Sequence, residues 1–213
     1  GTQWIGLEDE SNPDIVDNES NVGGELSMVL DSSDNPHIAY LDDENDDLKY
    51  IRWNGSSWAG PAGGGAGDKV VDGTGAVGFA PAIAVDAADS PHVSYFDDSA
   101  DAVMYATWNG SAWVGQKNAS TPDEVLDVGS ISLGTSIALD SDGNPHIAFG
   151  NGEISAAELT YTVWNGSSWA GLLSDTAPDR VGDGSRVGDS PALALDGSNN
   201  PHISFYDFGN QRL

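Results

Sequence analysis

The polar and apolar positions of this chain follow a period of two, broken every few residues by turn chemistry. The middle of the sequence shows it well. Pro81 to Asp86 is a short apolar run. Ala87 to Pro91 is turn-forming. His92 to Phe96 alternates, with Val93 and Tyr95 on one side of the pleat. Asp97 to Asp101 makes a polar turn, and Ala102 to Trp108 is a third strand containing Val103, Met104 and Tyr105. Asn109-Gly110 is a strong hairpin signal, because a type I′ turn wants positive φ at both central positions. Ser111 to Gly115 begins a fourth strand, and a Gly- and Asp-rich link follows. Sustained 3.6-residue periodicity with caps is absent, so the expectation is an all-β chain.

This unit recurs. Pro-His occurs four times, with histidines at 37, 92, 146 and 202, spaced 55, 54 and 56 residues apart. W-N-G-S-[SA]-W occurs at Trp53 to Trp58, Trp108 to Trp113 and Trp164 to Trp169. An Asp stands six positions before each repeated His, at Asp31, Asp86, Asp140 and Asp196. Four-stranded units of about 55 residues that must stack to bury their faces predict a β-propeller of four such blades, alone or within a larger propeller. The boundaries read as a strand completing the last blade plus a link over 1–24, repeats over 25–78, 79–133 and 134–188, and a partial repeat over 189–213. Gly1 to Trp4 aligns with Gly55 to Trp58, and His202 to Leu213 matches His37 to Leu48. The register therefore predicts a piece of a longer array; one ring closed by the N-terminal strand, or an eight-repeat ring of two chains, are the alternatives.

Charge narrows the partners. The 213 residues carry 7 basic and 34 acidic side chains, a formal net charge of −27. That argues against nucleic acid and anionic membranes as partners. There is no Cys, hence no disulfide and no thiolate metal site, and no apolar run of about 18 residues that would insert in a membrane.

The repeated residues have structural readings first. His37, His92, His146 and His202, each just after a Pro, are expected to hydrogen-bond the preceding Asp (Asp31, Asp86, Asp140, Asp196) or a neighbouring blade. Fourfold recurrence speaks against catalysis, which needs one asymmetric site. Trp4, Trp58, Trp113 and Trp169 are expected to fill the wedge between blades. Trp53, Trp108 and Trp164, beside the Asn-Gly turn, are expected to be more exposed and are the candidate sugar platform: a flat apolar face for C–H groups beside polar groups for hydroxyls. Asp42, Asp43, Asp46 and Asp47 cluster oxygen donors in one loop and form the candidate calcium site; the expectation is no cofactor, with calcium as the alternative. Five N-x-[ST] sequons stand at Asn18, Asn54, Asn109, Asn118 and Asn165. Nucleophile-elbow, zinc-protease and phosphate-loop motifs are all absent.

The strings L-D-S-S-D-N-P-H-I-A-Y (30–40), V-D-A-A-D-S-P-H-V-S-Y (85–95), L-D-S-D-G-N-P-H-I-A-F (139–149) and L-D-G-S-N-N-P-H-I-S-F (195–205), each followed in the first three units by the W-N-G-S motif, resemble the sialidase-like, Asp-box-related propeller repeats of secreted microbial proteins. The chain departs from the strict box S-x-D-x-G-x-x-W, because Pro-His stands near the aromatic position. Active sialidases clamp a carboxylate with three arginines and use a Tyr nucleophile with its Glu. Here Arg52, Arg180, Arg186 and Arg212 stand at unrelated repeat positions. The resemblance implies the fold and an extracellular or cell-surface location, and by analogy a lectin role, without the enzyme. The expected function is a non-enzymatic module binding a glycan or protein ligand through blade loops. Its rivals are a glycoside hydrolase or lyase, with Glu153 or Glu158 of the repeat-breaking third unit as candidates, and a structural or adhesive array.

Overall fold

Each repeat folds into one antiparallel sheet whose registers are set by side chains at its turns. The structure, a computed structural model, describes residues 5–8, 12–63, 69–129, 134–152, 157–174, 176–181 and 187–213. The first sheet holds β1 (Val22–Leu30), β2 (Pro36–Asp42), β3 (Asp47–Trp53), β4 (Trp58–Ala59) and β5 (Val70–Asp72). The second holds β6 (Val77–Val85), β7 (Pro91–Asp97), β8 (Ala102–Trp108), β9 (Trp113–Val114) and β10 (Asp123–Asp127). The third holds β11 (Thr135–Leu139), β12 (Pro145–Asn151), β13 (Glu158–Trp164), β14 (Trp169–Ala170) and β15 (Asp179–Val181). The fourth is the pair β16 (Val187–Leu195) and β17 (Pro201–Asp207). Among the described residues there is no helix.

The repeated Asp that ends each first strand caps the turn after it. Asp31 Oδ1 accepts the amides of Ser33 and Asn35, both at 2.8 Å, and Asp86, Asp140 and Asp196 do the same in their sheets. A short Asx side chain offers the backbone a local partner where the ladder ends. The W-N-G-S turn is wider than the two-residue hairpin expected from Asn-Gly. Trp53 pairs with Trp58, leaving four residues in the loop. Only the glycine takes positive φ (92° at Gly55, 94° at Gly110, 90° at Gly166). The Asn stays at negative φ and accepts the amides of the next two serines through Oδ1, as at Asn54 with Ser56 and Ser57.

The outer strand also differs from expectation. Of the stretch Ser111 to Gly115, read from the sequence as beginning a fourth strand, only Trp113–Val114 pairs. The chain then loops out and returns as β10, which pairs with the other half of β8. β4 with β5, and β14 with β15, repeat this two-piece edge. The link expected between units therefore completes the sheet it leaves.

Sheets pack face to face in chain order, β6 against β1 to β3, and β16 against β11 to β13. The core between the first two sheets gathers Tyr50, Val77, Val93, Tyr95 and Trp113; that between the second and third gathers Phe96, Tyr105, Ile147, Phe149 and Trp169. Two glycines permit this approach. Gly78 has φ +95° and Gly188 φ +100°, and a Cβ on either would stand 2.9 and 2.8 Å from the Cα of Leu48 and Leu159. At one end of the stack β1 leaves Leu26, Met28 and Leu30 exposed. Beside it Asp17 accepts a 2.6 Å hydrogen bond from Tyr40, the relation that Asp72 has to Tyr95 one sheet on.

Candidate functional site

A column of polar and aromatic groups runs through each of the first three sheets, and passes from the first to the second and from the second to the third. His37 Nδ1 lies 2.8 Å from Tyr50 Oη, His92 Nδ1 2.6 Å from Tyr105 Oη, and His146 Nδ1 2.5 Å from Tyr161 Oη. On the other ring nitrogen, Nε2 lies 3.5 Å from Asp31, 3.6 Å from Asp86 and 3.7 Å from Asp140. His202 has Asp196 at 3.6 Å and is exposed. A phenol donating to Nδ1 leaves the proton on Nε2, the nitrogen nearer the carboxylate but without a hydrogen bond to it in the three buried cases. Burial pushes His37, His92 and His146 below the ordinary imidazole value, against the pull of the aspartate. Burial opposes ionisation of Asp31 too, but the Asn35 side chain and the turn amides hold its carboxyl at about 2. The column continues edge-on, Tyr50 to Trp113 and Tyr105 to Trp169, both with 5.2 Å between centroids.

A second repeated Asp escaped the reading of the sequence. Asp14, Asp68, Asp123 and Asp179 each stand ten residues after a repeated Trp. Asp123 accepts the amides of Gln116, Lys117 and Asn118 at 2.8 to 3.0 Å, plus the indole N–H of Trp169 from the next sheet at 3.3 Å. Asp14 likewise accepts the amide of Leu7 at 2.7 Å and Trp58 Nε1 at 3.0 Å. Asp68 and Trp4 lie outside the described residues. The spacing was visible, but its partners are amides and an indole one repeat away.

The exposed face expected of the turn tryptophans is not what the fold gives Trp53 and Trp164. Trp53 and Trp164 are only 9% and 8% exposed. Each ring folds back edge-on against its hairpin partner, Trp58 or Trp169, at 5.7 and 5.6 Å between centroids. A short hairpin puts two large rings directly opposite, and each covers the other. Trp108 pairs with Trp113 in the same way but stays partly exposed.

Nor are Asp42, Asp43, Asp46 and Asp47 gathered around a cation position. Among the described residues no three His, Asp or Glu side chains stand close enough to hold a metal ion. Asp42 is fully buried and already engaged: it pairs with Lys49 and accepts the Asn45 side chain at 2.9 Å and the amides of Glu44 and Asn45. Burial works against its ionisation, but Lys49 and these donors hold it at about 2. Asp47 moves the other way, raised by burial and then by the neighbouring Asp42. Glu158 pairs with Arg180 at 2.9 Å on the sheet edge, and Glu153 lies outside the described residues. All five sequon asparagines are exposed.

The concave feature that brings unlike groups together is a cleft of about 360 Å³ between the first and second sheets. That volume is in the range of small-ligand sites. Trp108 and Tyr50 give it aromatic walls, Pro61 and Pro91 line it, and Arg52, Asp89 and Ser90 bring polar atoms. Asp89 is committed to the neighbouring turn, accepting Ser32 N at 2.9 Å and Ser32 Oγ at 2.8 Å. Arg52 is not: its Nε is buried with no hydrogen-bond partner, and its Nη2 reaches only Pro61 O, at 3.4 Å.

Repeated antiparallel sheets stacked face to face in chain order, each with an interrupted outer edge, place the chain among the β-propellers. Solved structures agree. The fold is similar to a mutant of the Aleuria aurantia lectin in complex with Fucα1-6GlcNAc, with a TM-score of 0.60 and 15% identity over 89% of this chain and 58% of that one. A second structure of that fungal lectin, described as a six-bladed β-propeller with a novel fucose recognition mode, gives a TM-score of 0.57 and 15% identity over 87% and 56%. An α-L-arabinofuranosidase from Fusarium graminearum, in complex with an iminosugar inhibitor, gives 0.52 and 12% over 89% and 57%. At such identities the likeness is one of fold, and the chain spans a little over half the length of each protein. No protein-family model and no curated protein matches the sequence.

Proposed function

We propose that this chain is part of a glycan-binding propeller of the extracellular space or cell surface, acting by recognition rather than by catalysis. The observation that carries this reading is the cleft between the first and second blades, where an aromatic wall, a cation without a carboxylate partner among the described residues and a hydroxyl converge. Trp108 offers the flat apolar face that a pyranose C–H surface needs, and Arg52 and Ser90 offer the polar contacts that orient a ring. The carboxylate lining the cleft, Asp89, has both oxygens occupied by Ser32, which suits binding better than acid–base work. Similarity in fold to a lectin solved with a fucosylated sugar supports the same reading.

The test is a glycan array probed with the folded protein, with calcium and with chelator, beside Trp108→Ala. Saturable binding to a sugar class that falls at least tenfold in Trp108→Ala supports the proposal. Loss in chelator as well would restore the Asp42–Asp47 loop as a calcium site. Cleavage of arrayed glycans would convert the reading to an enzyme. Silence from folded protein would leave a protein-binding or structural array.

A further inference from the structure

We infer that the cleft between the first and second blades selects an acidic saccharide, one carrying a carboxylate, with Arg52 as its anchor and one such site in this chain; the inference rests on the glycan-binding reading above. Arg52 occupies the strand position opposite His37. The same position opposite His92 is Thr107, and opposite His146 it is Val163. The repeat thus places a neutral residue in two blades and a cation in one, although its neighbours Tyr50 and Trp53 are kept in all three. A residue that breaks a repeat while its surroundings keep it marks a singular site.

The charge balance around Arg52 is equally unusual. The chain has 34 acids for 7 bases, and four of its other described cations find them, while Lys117 lies exposed near the Glu124 carbonyl. Lys49 meets Glu19 at 2.5 Å, Lys69 meets Asp17 at 3.1 Å, Arg180 meets Glu158 at 2.9 Å and Arg212 meets Asp207 at 3.4 Å. Among the described residues no carboxylate pairs with Arg52, and its buried Nε donates to nothing. A guanidinium withdrawn from water wants a charged acceptor. Its planar fork matches a carboxylate, with two parallel hydrogen bonds. Asp89 is the acid nearest to hand in the cleft, and Ser32 holds both of its oxygens. The partner that completes Arg52 therefore comes from outside the chain. The net charge of −27 repels anions at long range, but at physiological ionic strength that field is screened beyond about 8 Å, so the contact decides.

The experiment is calorimetric titration of the whole chain with a glucuronate-terminated disaccharide and its glucose-terminated counterpart. The variants are Arg52→Thr, which installs the residue that the second blade carries at this position, and Arg52→Lys, which keeps the charge without the fork. The expected result is one site per chain and at least tenfold preference for the glucuronate. Arg52→Thr should lose roughly 30-fold or more of that affinity, with neutral-sugar binding unchanged. Arg52→Lys should fall between. Equal affinity for both sugars, or acid binding untouched in Arg52→Thr, overturns the acidic selectivity and leaves the glycan reading standing. If neither titration nor the array finds any saccharide for protein with a normal unfolding transition, both fall together.

Discussion

Removing one oxygen atom tests whether the His–Tyr column holds the blades. Tyr105 is fully buried; its hydroxyl lies 2.6 Å from His92 Nδ1 and accepts Gln116 Nε2 at 3.1 Å. Tyr105→Phe keeps the ring that packs on Trp169. It leaves the nearly buried His92 Nδ1 without a donor. An orphaned buried acceptor costs about 1–3 kcal/mol, and for a chain of this length each kcal/mol lowers Tm by about 2–4 °C. His92→Phe removes the acceptor, and the double variant replaces a buried polar pair by an apolar one. It should therefore cost less than the two single changes together, with a coupling of about 1 kcal/mol or more. Urea titration at pH 7.5, followed by tryptophan fluorescence, measures all four corners of the cycle. If Tyr105→Phe lies within about 0.3 kcal/mol of wild type, or the changes are additive, the hydrogen bond does not stabilise the column as argued.

Four further outcomes follow from the same geometry. Gly78→Ala should cost about 2 kcal/mol more than Gly55→Ala: both need positive φ, but only Gly78 meets a neighbouring backbone, and equal urea midpoints would refute the close approach. Lys49→Met should cost about 3–5 kcal/mol, since it strands the buried Asp42 carboxylate; a thermal melt indistinguishable from wild type would show the pair to be incidental. Asp123→Ala should cost about 2–4 kcal/mol and redden tryptophan emission, because three amides and the Trp169 indole lose one acceptor; unchanged emission would count against the inter-blade link. In pH, His37, His92 and His146 resist protonation when folded, whereas the unfolded chain takes up those protons near 6.5. The unfolded state then binds more protons below that value, so this stability is complete above pH 6.5 and drains away as pH falls through it. Between pH 7.5 and 5.5 the wild type should lose more stability than His92→Phe, and parallel losses would rule His92 out as a source.

Much of the fold could be read from the 55-residue period, because a blade repeats its turns as faithfully as its strands. Asp31 and His37 stood out as a pair, and the structure sets them 3.5 Å apart. What the sequence hid were contacts between repeats. Tyr50, Tyr105 and Tyr161 recur at one position of the third strands, and nothing local says that a phenol faces the histidine of the adjacent strand. β5, β10 and β15 are only three to five residues long and follow loops, too short for an alternation to be recognised. Trp53 and Trp164 were placed at the rim by their position beside Asn-Gly, but ring-to-ring pairing across the hairpin turned them inward. In the sequence Arg52 stands at a repeat position unrelated to those of the other arginines. Its interest comes from the absence of a carboxylate partner among the described residues, which only coordinates can show.

The two-piece outer strands bear on how the protein behaves in a crowd. The free edge of a sheet is a template on which another chain can add a strand. Here β4, β9 and β14 offer two residues each before the chain turns away, and the loop that follows is pinned by an aspartate to its own backbone in the second and third blades. A visiting strand finds no straight run of unpaired amides and carbonyls longer than a few residues, so protein held at high concentration should stay dispersed along these rims, whatever partner it meets in its clefts.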